Sequence, residues 1–111
     1  MISKELLSAV LGKDVKSGNG YIGCFENILT FAYSDEDMWS DINIHELAHM
    51  IKEWAKTNDY YISSWISMAD TDGWVAYSTT NYKEKEQLVF DNTEPEAIFK
   101  AGELILKEIS K

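Results

Sequence analysis

Leu6, Leu7, Val10 and Leu11 recur at helical spacing over residues 3–11, and Gly12 stands where a left-handed residue would end that helix. Residues 13–20 form a polar loop. Residues 21–33 are rich in aromatic and β-branched types with Glu26-Asn27 near their middle, which predicts two short strands joined by a tight turn. Residues 34–40 (Ser-Asp-Glu-Asp-Met-Trp-Ser) read as an acidic loop carrying one aromatic. A second helix then begins with a clear signal. Asn43 is a good N-cap, Glu46 stands three residues later to complete a capping box, and Ile42 and Leu47 occupy the staple positions. The apolar stripe of this helix is Ile44, Leu47, Ala48, Ile51, Trp54 and Ala55, and Asn58-Asp59 ends it.

Residues 60–68 and 74–79 predict a β-hairpin around Asp70-Thr71-Asp72-Gly73. A charged loop over residues 82–86 follows, then a short apolar run, Leu88-Val89-Phe90. The last helix opens with Thr93 and Glu96 as a second capping box and Pro95 in its first turn. Ala97, Ile98, Ala101, Leu104, Ile105 and Ile109 form its core face, whereas Phe99 and Leu106 point about 80° or more beyond that stripe. The predicted order is α-β-β-α-β-β(-β)-α: one α+β domain over residues 1–111, with a mainly antiparallel sheet and helices packed on it. A solvent-facing Phe99 with Leu106 predicts a contact face, with a homodimer or a partner on it, unless the N-terminal helix covers that side.

Composition narrows the class. With 45% hydrophobic residues over 111 positions, the chain can bury an ordinary core. A lone cysteine, Cys24, excludes an internal disulfide and fits a reducing compartment. It lies in a predicted strand and reads as core. No secretory pattern or membrane-length apolar run is present, so a cytoplasmic protein with no membrane partner is expected.

Charge changes the picture more. Residues 17–82 hold ten carboxylates and two lysines, Lys52 and Lys56, and so carry −8 of the net −9. Such a field repels phosphate backbones, and no arginine is available for bidentate phosphate or guanine contacts. Direct nucleic-acid binding is excluded on this reading, and a protein with a basic surface becomes the expected partner. The alternative is that the acidity only keeps a small protein soluble.

One motif points to chemistry. His45-Glu46-Leu47-Ala48-His49 matches the zinc-protease pattern, in which two imidazoles one helical turn apart hold the metal and the glutamate serves as general base. Four features oppose it. Glu46 is explained as half of a capping box, and that box puts His45 in the first turn of the helix. Lys52 and Lys56 share the polar face with both histidines. The extended motif would need Gly and His where Lys52 and Ala55 stand. Asp70 or Asp72, 21 and 23 residues beyond His49, could complete a zinc site, yet Asp-Thr-Asp-Gly is more simply a hairpin turn. It also lacks the spacing of a calcium loop. No phosphate loop, dinucleotide fingerprint or nucleophile elbow is present. Trp54 and Trp65 are expected in the core, and Trp39 and Trp74 are the candidates for anchoring a partner.

Two stretches carry a family likeness: residues 42–55, through Glu46-Leu47-Ala48-His49 and Lys52-Glu53-Trp54-Ala55, and residues 93–101, Thr-Glu-Pro-Glu-Ala-Ile-Phe-Lys-Ala. Together they resemble small proteins of bacteriophages and prophages, and residues 42–107 are similar to the phage α-β-α sandwich domain. The resemblance implies no enzyme activity. Together with the carboxylate-rich middle it leads to the expectation of an accessory protein that acts by binding, in its sharpest form an anti-CRISPR-like inhibitor of a host defence nuclease, at work in the host cytoplasm. The expected contact residues are Asp35, Glu36, Asp37, Trp39, Asp41, Asp70 and Asp72. The competing expectation is a minimal zinc hydrolase using His45, Glu46 and His49. A phage housekeeping component that binds itself is a third.

Overall fold

A computed structural model describes residues 2–16, 22–25, 27–66, 73–80 and 86–111. The elements run α1 (Lys4–Leu11), β1 (Ile22–Phe25), β2 (Ile28–Ala32), β3 (Trp39–Asn43), α2 (Ile44–Thr57), β4 (Tyr60–Ile66), β5 (Trp74–Thr80), β6 (Glu86–Asp91) and α3 (Glu94–Ile109). The fold is α+β. Its strands form two antiparallel three-stranded sheets, β1-β2-β3 and β4-β5-β6. The optional strand around Leu88 is real, as β6. A strand that the hydrophobic pattern did not announce, β3, occupies the end of the expected acidic loop. No helix among the described residues is long and apolar enough to cross a membrane.

Local chemistry sets the boundaries. Ser3 caps α1 by accepting the Leu6 N–H at 3.1 Å, and Gly12, at φ 73°, turns left-handed so that its N–H reaches the Ser8 carbonyl at 2.9 Å. Asn27, at φ 68°, makes the tight β1–β2 turn, and its carbonyl accepts the Ile44 N–H at 2.9 Å. That bond fixes the start of α2 against the first sheet. Asp59 takes the same left-handed conformation between α2 and β4.

Helices α2 and α3 pack on one face of β4-β5-β6, and α1 lies against both helices. The core is one cluster, with Leu6, Leu7, Leu29, Leu47, Ile51 and Ile105 fully buried in it. Helix α3 carries most of the cross-ties. Lys100 donates to the Phe90 carbonyl at 2.8 Å and pairs with Asp91 at 3.0 Å, fastening α3 to β6. Burial pushes the Asp91 carboxyl up, but the Lys100 ammonium and the Asn92 N–H outweigh it and hold the group below its usual range. At the other side, the Glu103 carboxylate accepts from Ser3 Oγ at 2.7 Å and Ser3 N–H at 3.2 Å.

Three sequence expectations are corrected here. Phe99 is 2% exposed, so it is not solvent-facing and cannot carry the expected dimer contact; Leu106 packs partly buried against the core. The buried face of α3 is broader than one stripe because α1 and α2 cover a second side of it. Ile109, expected in the core, is exposed in the last turn. Trp65, also expected in the core, is 43% exposed, while Trp54 packs against the core edge. Trp65 shares its odd register with the exposed Tyr61 and Ser63, whereas Ile62 is buried and Tyr60 and Ser64 half-buried on the face the helices cover.

Gly102 is where the three helices meet. A Cβ there would lie 2.9 Å from Ile51 Cγ2 and 3.0 Å from Leu6 Cδ2. Ile51 is β-branched and fully buried in a helix, so its methyl cannot swing aside. Alanine favours helix over glycine by about 1 kcal/mol, but overpacking a core costs about 1–3 kcal/mol. Gly102→Ala is therefore expected to lower the urea midpoint, and Gly102→Val to lower it further. A raised midpoint for Gly102→Ala would show that the helices are not in contact at this position.

Candidate functional site

The acidic contact residues fall on the β2–β3 connection and on β3. Asp35, Glu36, Asp37 and Met38 precede the strand, and Trp39 and Asp41 lie on it. Among the described residues strand β3 is an edge of its sheet, paired with β2 through Ala32–Trp39, Thr30–Asp41 and Ile28–Asn43. Alternation then divides its side chains. Ile42 packs against the core, and Trp39 and Asp41 are exposed on the opposite face. Met38 is 77% and Trp39 52% exposed, an apolar pair set among carboxylates.

The strip is partly organised from within. Lys13 meets Glu36 at 2.8 Å and Asp35 at 3.4 Å, with its ammonium 4.6 Å from the centre of the Tyr33 ring. The hydrogen bond to Glu36, with Asp35 beside it, outweighs a smaller opposing effect of burial and holds the Lys13 ammonium above the usual lysine range. Asp41 accepts from Thr30 Oγ1 at 2.8 Å, which fixes its carboxylate over the sheet. Four carboxylates less one ammonium leave −3 on a short stretch of surface beside an exposed tryptophan. Asp70 and Asp72, expected to join this face, lie outside the described residues.

The histidine motif occupies a different surface. His45, Glu46 and His49 are all exposed on α2. His45 sits in the first turn, because Asn43 is the N-cap: its side chain accepts from His45 N–H at 2.8 Å and Glu46 N–H at 3.4 Å. The reciprocal half of the capping box is not formed. Among the described residues the Glu46 carboxylate takes no bond from the Asn43 N–H. Both histidines line a cleft of about 180 Å³ with Ala48, Lys52, Glu94 and Ile98. Lys52 Nζ donates to Ser64 Oγ at 3.1 Å, and Ser64 Oγ donates to Glu94 at 2.8 Å, tying α2, β4 and the start of α3 together across the cleft floor. His49 also approaches Glu53 at 3.9 Å.

Chemically, this cleft mixes two imidazoles with an ammonium, and the one carboxylate facing them is engaged by Ser64. No three His, Cys, Asp or Glu side chains converge as metal ligands among the described residues. The Lys52–Ser64–Glu94 chain had no local sequence signal, because its members come from three elements. Strand β3 had a weak one, in the alternation Trp39, Asp41 against Ser40, Ile42. No known protein family, curated protein or solved structure matches the chain.

The cap geometry separates the two roles offered for Glu46. Asn43→Ala is expected to destabilise the fold by about 1 kcal/mol, the usual cost of losing a cap. Glu46→Ala should cost much less, since its side chain closes no bond. Equal losses in urea denaturation would show that the full capping box forms in solution.

Proposed function

We propose that this protein is a non-enzymatic accessory protein of a phage or mobile element that works by binding a protein with a basic surface, and that its target is a host defence nuclease whose nucleic-acid groove it occupies. The observation that carries this reading is the exposed edge strand β3, which presents Trp39 and Asp41 on one face directly after Asp35, Glu36 and Asp37. Carboxylates spaced along an extended edge offer a basic groove the charge it uses for a phosphate backbone, and a half-exposed tryptophan beside them supplies the kind of anchor that dominates interface energies. The likeness of residues 42–107 to phage α-β-α sandwich domains supports the source.

The test is direct inhibition. The protein is titrated into RNA-guided nucleases while their loading onto target DNA is measured. Wild-type protein is expected to block loading, and the block should weaken by ~10-fold or more as salt rises from low to physiological strength, where the field is screened over about 8 Å. Asp35→Asn with Asp37→Asn and Asp41→Asn, and separately Trp39→Ala, should each lose most of the inhibition. A block indifferent to salt and to these substitutions would refute the acidic strip as the contact.

The competing reading, a minimal zinc hydrolase, draws support from the cleft that His45 and His49 share with Glu94. Near-stoichiometric zinc in purified protein, lost on replacing either histidine, would favour it over binding.

A further inference from the structure

Strand β3 is regular along its whole length. Its residues pair one to one with β2, from Ala32–Trp39 to Ile28–Asn43, with no bulge, no proline and no lysine among them. Those are common devices by which proteins blunt the edge of a sheet against further pairing. The ladder also shows which backbone groups face outward. The Ile44 N–H donates to the Asn27 carbonyl at 2.9 Å, so hydrogen-bonded pairs recur at every second residue, at Leu29–Ile42 and Phe31–Ser40. The Ala32 carbonyl keeps the same alternation, turning away from β3 to accept the Lys16 N–H at 3.0 Å. Thr30–Asp41 and Ile28–Asn43 are therefore non-hydrogen-bonded pairs. The N–H groups of Asp41 and Asn43 and the Asp41 carbonyl point away from β2, and among the described residues nothing bonds them.

We infer that this edge takes up an extended basic segment of the partner as a fourth strand, hydrogen-bonded to the Asp41 and Asn43 backbone and paired through its lysines or arginines with the carboxylates beside them. This mode of contact rests on the proposed reading of β3 as the face that meets a basic protein, and it specifies how the partner is held. Strand addition to an open edge draws its affinity from main-chain bonds, while alternate side chains select the partner.

Charge identifies the occupant. Asp41 is exposed on the outer face of β3, held there by Thr30 Oγ1 at 2.8 Å, and Asp35, Glu36 and Asp37 lead into the strand at Trp39. Residues opposite one another on neighbouring strands have Cβ atoms about 5 Å apart, so a lysine or arginine opposite Asp41 reaches its carboxylate. A second copy of β3 is the usual competitor for an open edge. Here it would set the carboxylates of one chain beside those of the other, and like charges facing across strands destabilise the pair. A nucleic acid is repelled by the same groups. An extended segment with basic residues at alternate positions satisfies both the backbone and the charge.

Two synthetic peptides separate backbone pairing from charge attraction. One alternates lysine with valine, and the other has the same sequence N-methylated at every backbone amide, which keeps the charge and removes every backbone donor. Each is titrated into isotope-labelled protein and followed by NMR. The unmethylated peptide is expected to shift the Asp41 and Asn43 amide signals. At saturation it should slow hydrogen exchange at the Asp41 amide by about tenfold or more, as for an amide taken into a ladder. The methylated peptide should bind about tenfold more weakly or worse, because it leaves outward backbone groups of β3 without partners. Equal affinity for the two peptides, or unchanged exchange at Asp41 on saturation, would mean that side chains alone make the contact. Either result would overturn strand addition while leaving the proposed function standing. Failure of the unmethylated peptide to bind at millimolar concentration would overturn it as well. Binding with protection of Asp41, beside a failure to inhibit the nucleases, would uphold strand addition and remove the proposed target.

Discussion

The contact of α1, α2 and α3 at Gly102 is the constraint on which the described structure turns. Leu6 and Ile51 reach to within about a van der Waals radius of the space a side chain would fill, so α3 can approach both other helices only by lacking one. With that approach made, α3 lies across β4, β5 and β6 and buries Ala97, Ile98, Ala101 and Ile105 in the common core. Ties at both flanks hold it there. Lys100 binds β6 through Phe90 and Asp91, and Glu103 binds the cap of α1 through Ser3. These charge-assisted bonds contribute less than the buried apolar surface, but they fix the register of α3 over the sheet.

This frame leaves two kinds of surface. Strand β3 stands at the edge of the first sheet, close to the start of α2, where the Asn27 carbonyl and the Asn43 side chain both hold the helix end. Its exposed face mixes carboxylates with Trp39. The outer face of the second sheet carries the half-exposed Tyr61, Trp65, Leu88 and Phe90. Salt should weaken the binding of a basic partner at the first, because the net charge of −9 attracts it through a screened field. The cleft beneath His45 and His49 belongs to neither. Its lysine is drawn towards Ser64 and Glu94, a polar chain whose evident effect is to pin α2 to β4 and α3.

Much of the architecture was legible in the sequence where the signal was local. Asn43, Thr93 and Gly12 each act at a helix end through bonds to residues within four positions, and all three boundaries followed from residue type. The turn at Asn27 was legible for the same reason. Strand β3 was obscured because Ser40 and Asp41 dilute its alternation, and its pairing with β2 is a tertiary fact. Phe99 and Trp65 were misplaced in opposite directions. A helical wheel cannot know that α1 covers a second side of α3, and an aromatic in a strand does not announce which face the helices will cover. Gly102 gave no signal at all, since a glycine inside a helix is explained only by what approaches it.

Native-state hydrogen exchange would test most directly whether stability resides in the helical frame and contact surface in the strands around it. Amides of α3 near Gly102 and of α2 near Ile51 are expected to exchange only through global unfolding, at the free energy given by denaturant titration. Those of β3 from Trp39 to Asp41 are expected to exchange through local opening at lower cost. Slower exchange in β3 than in the centre of α3 would contradict this division of the molecule.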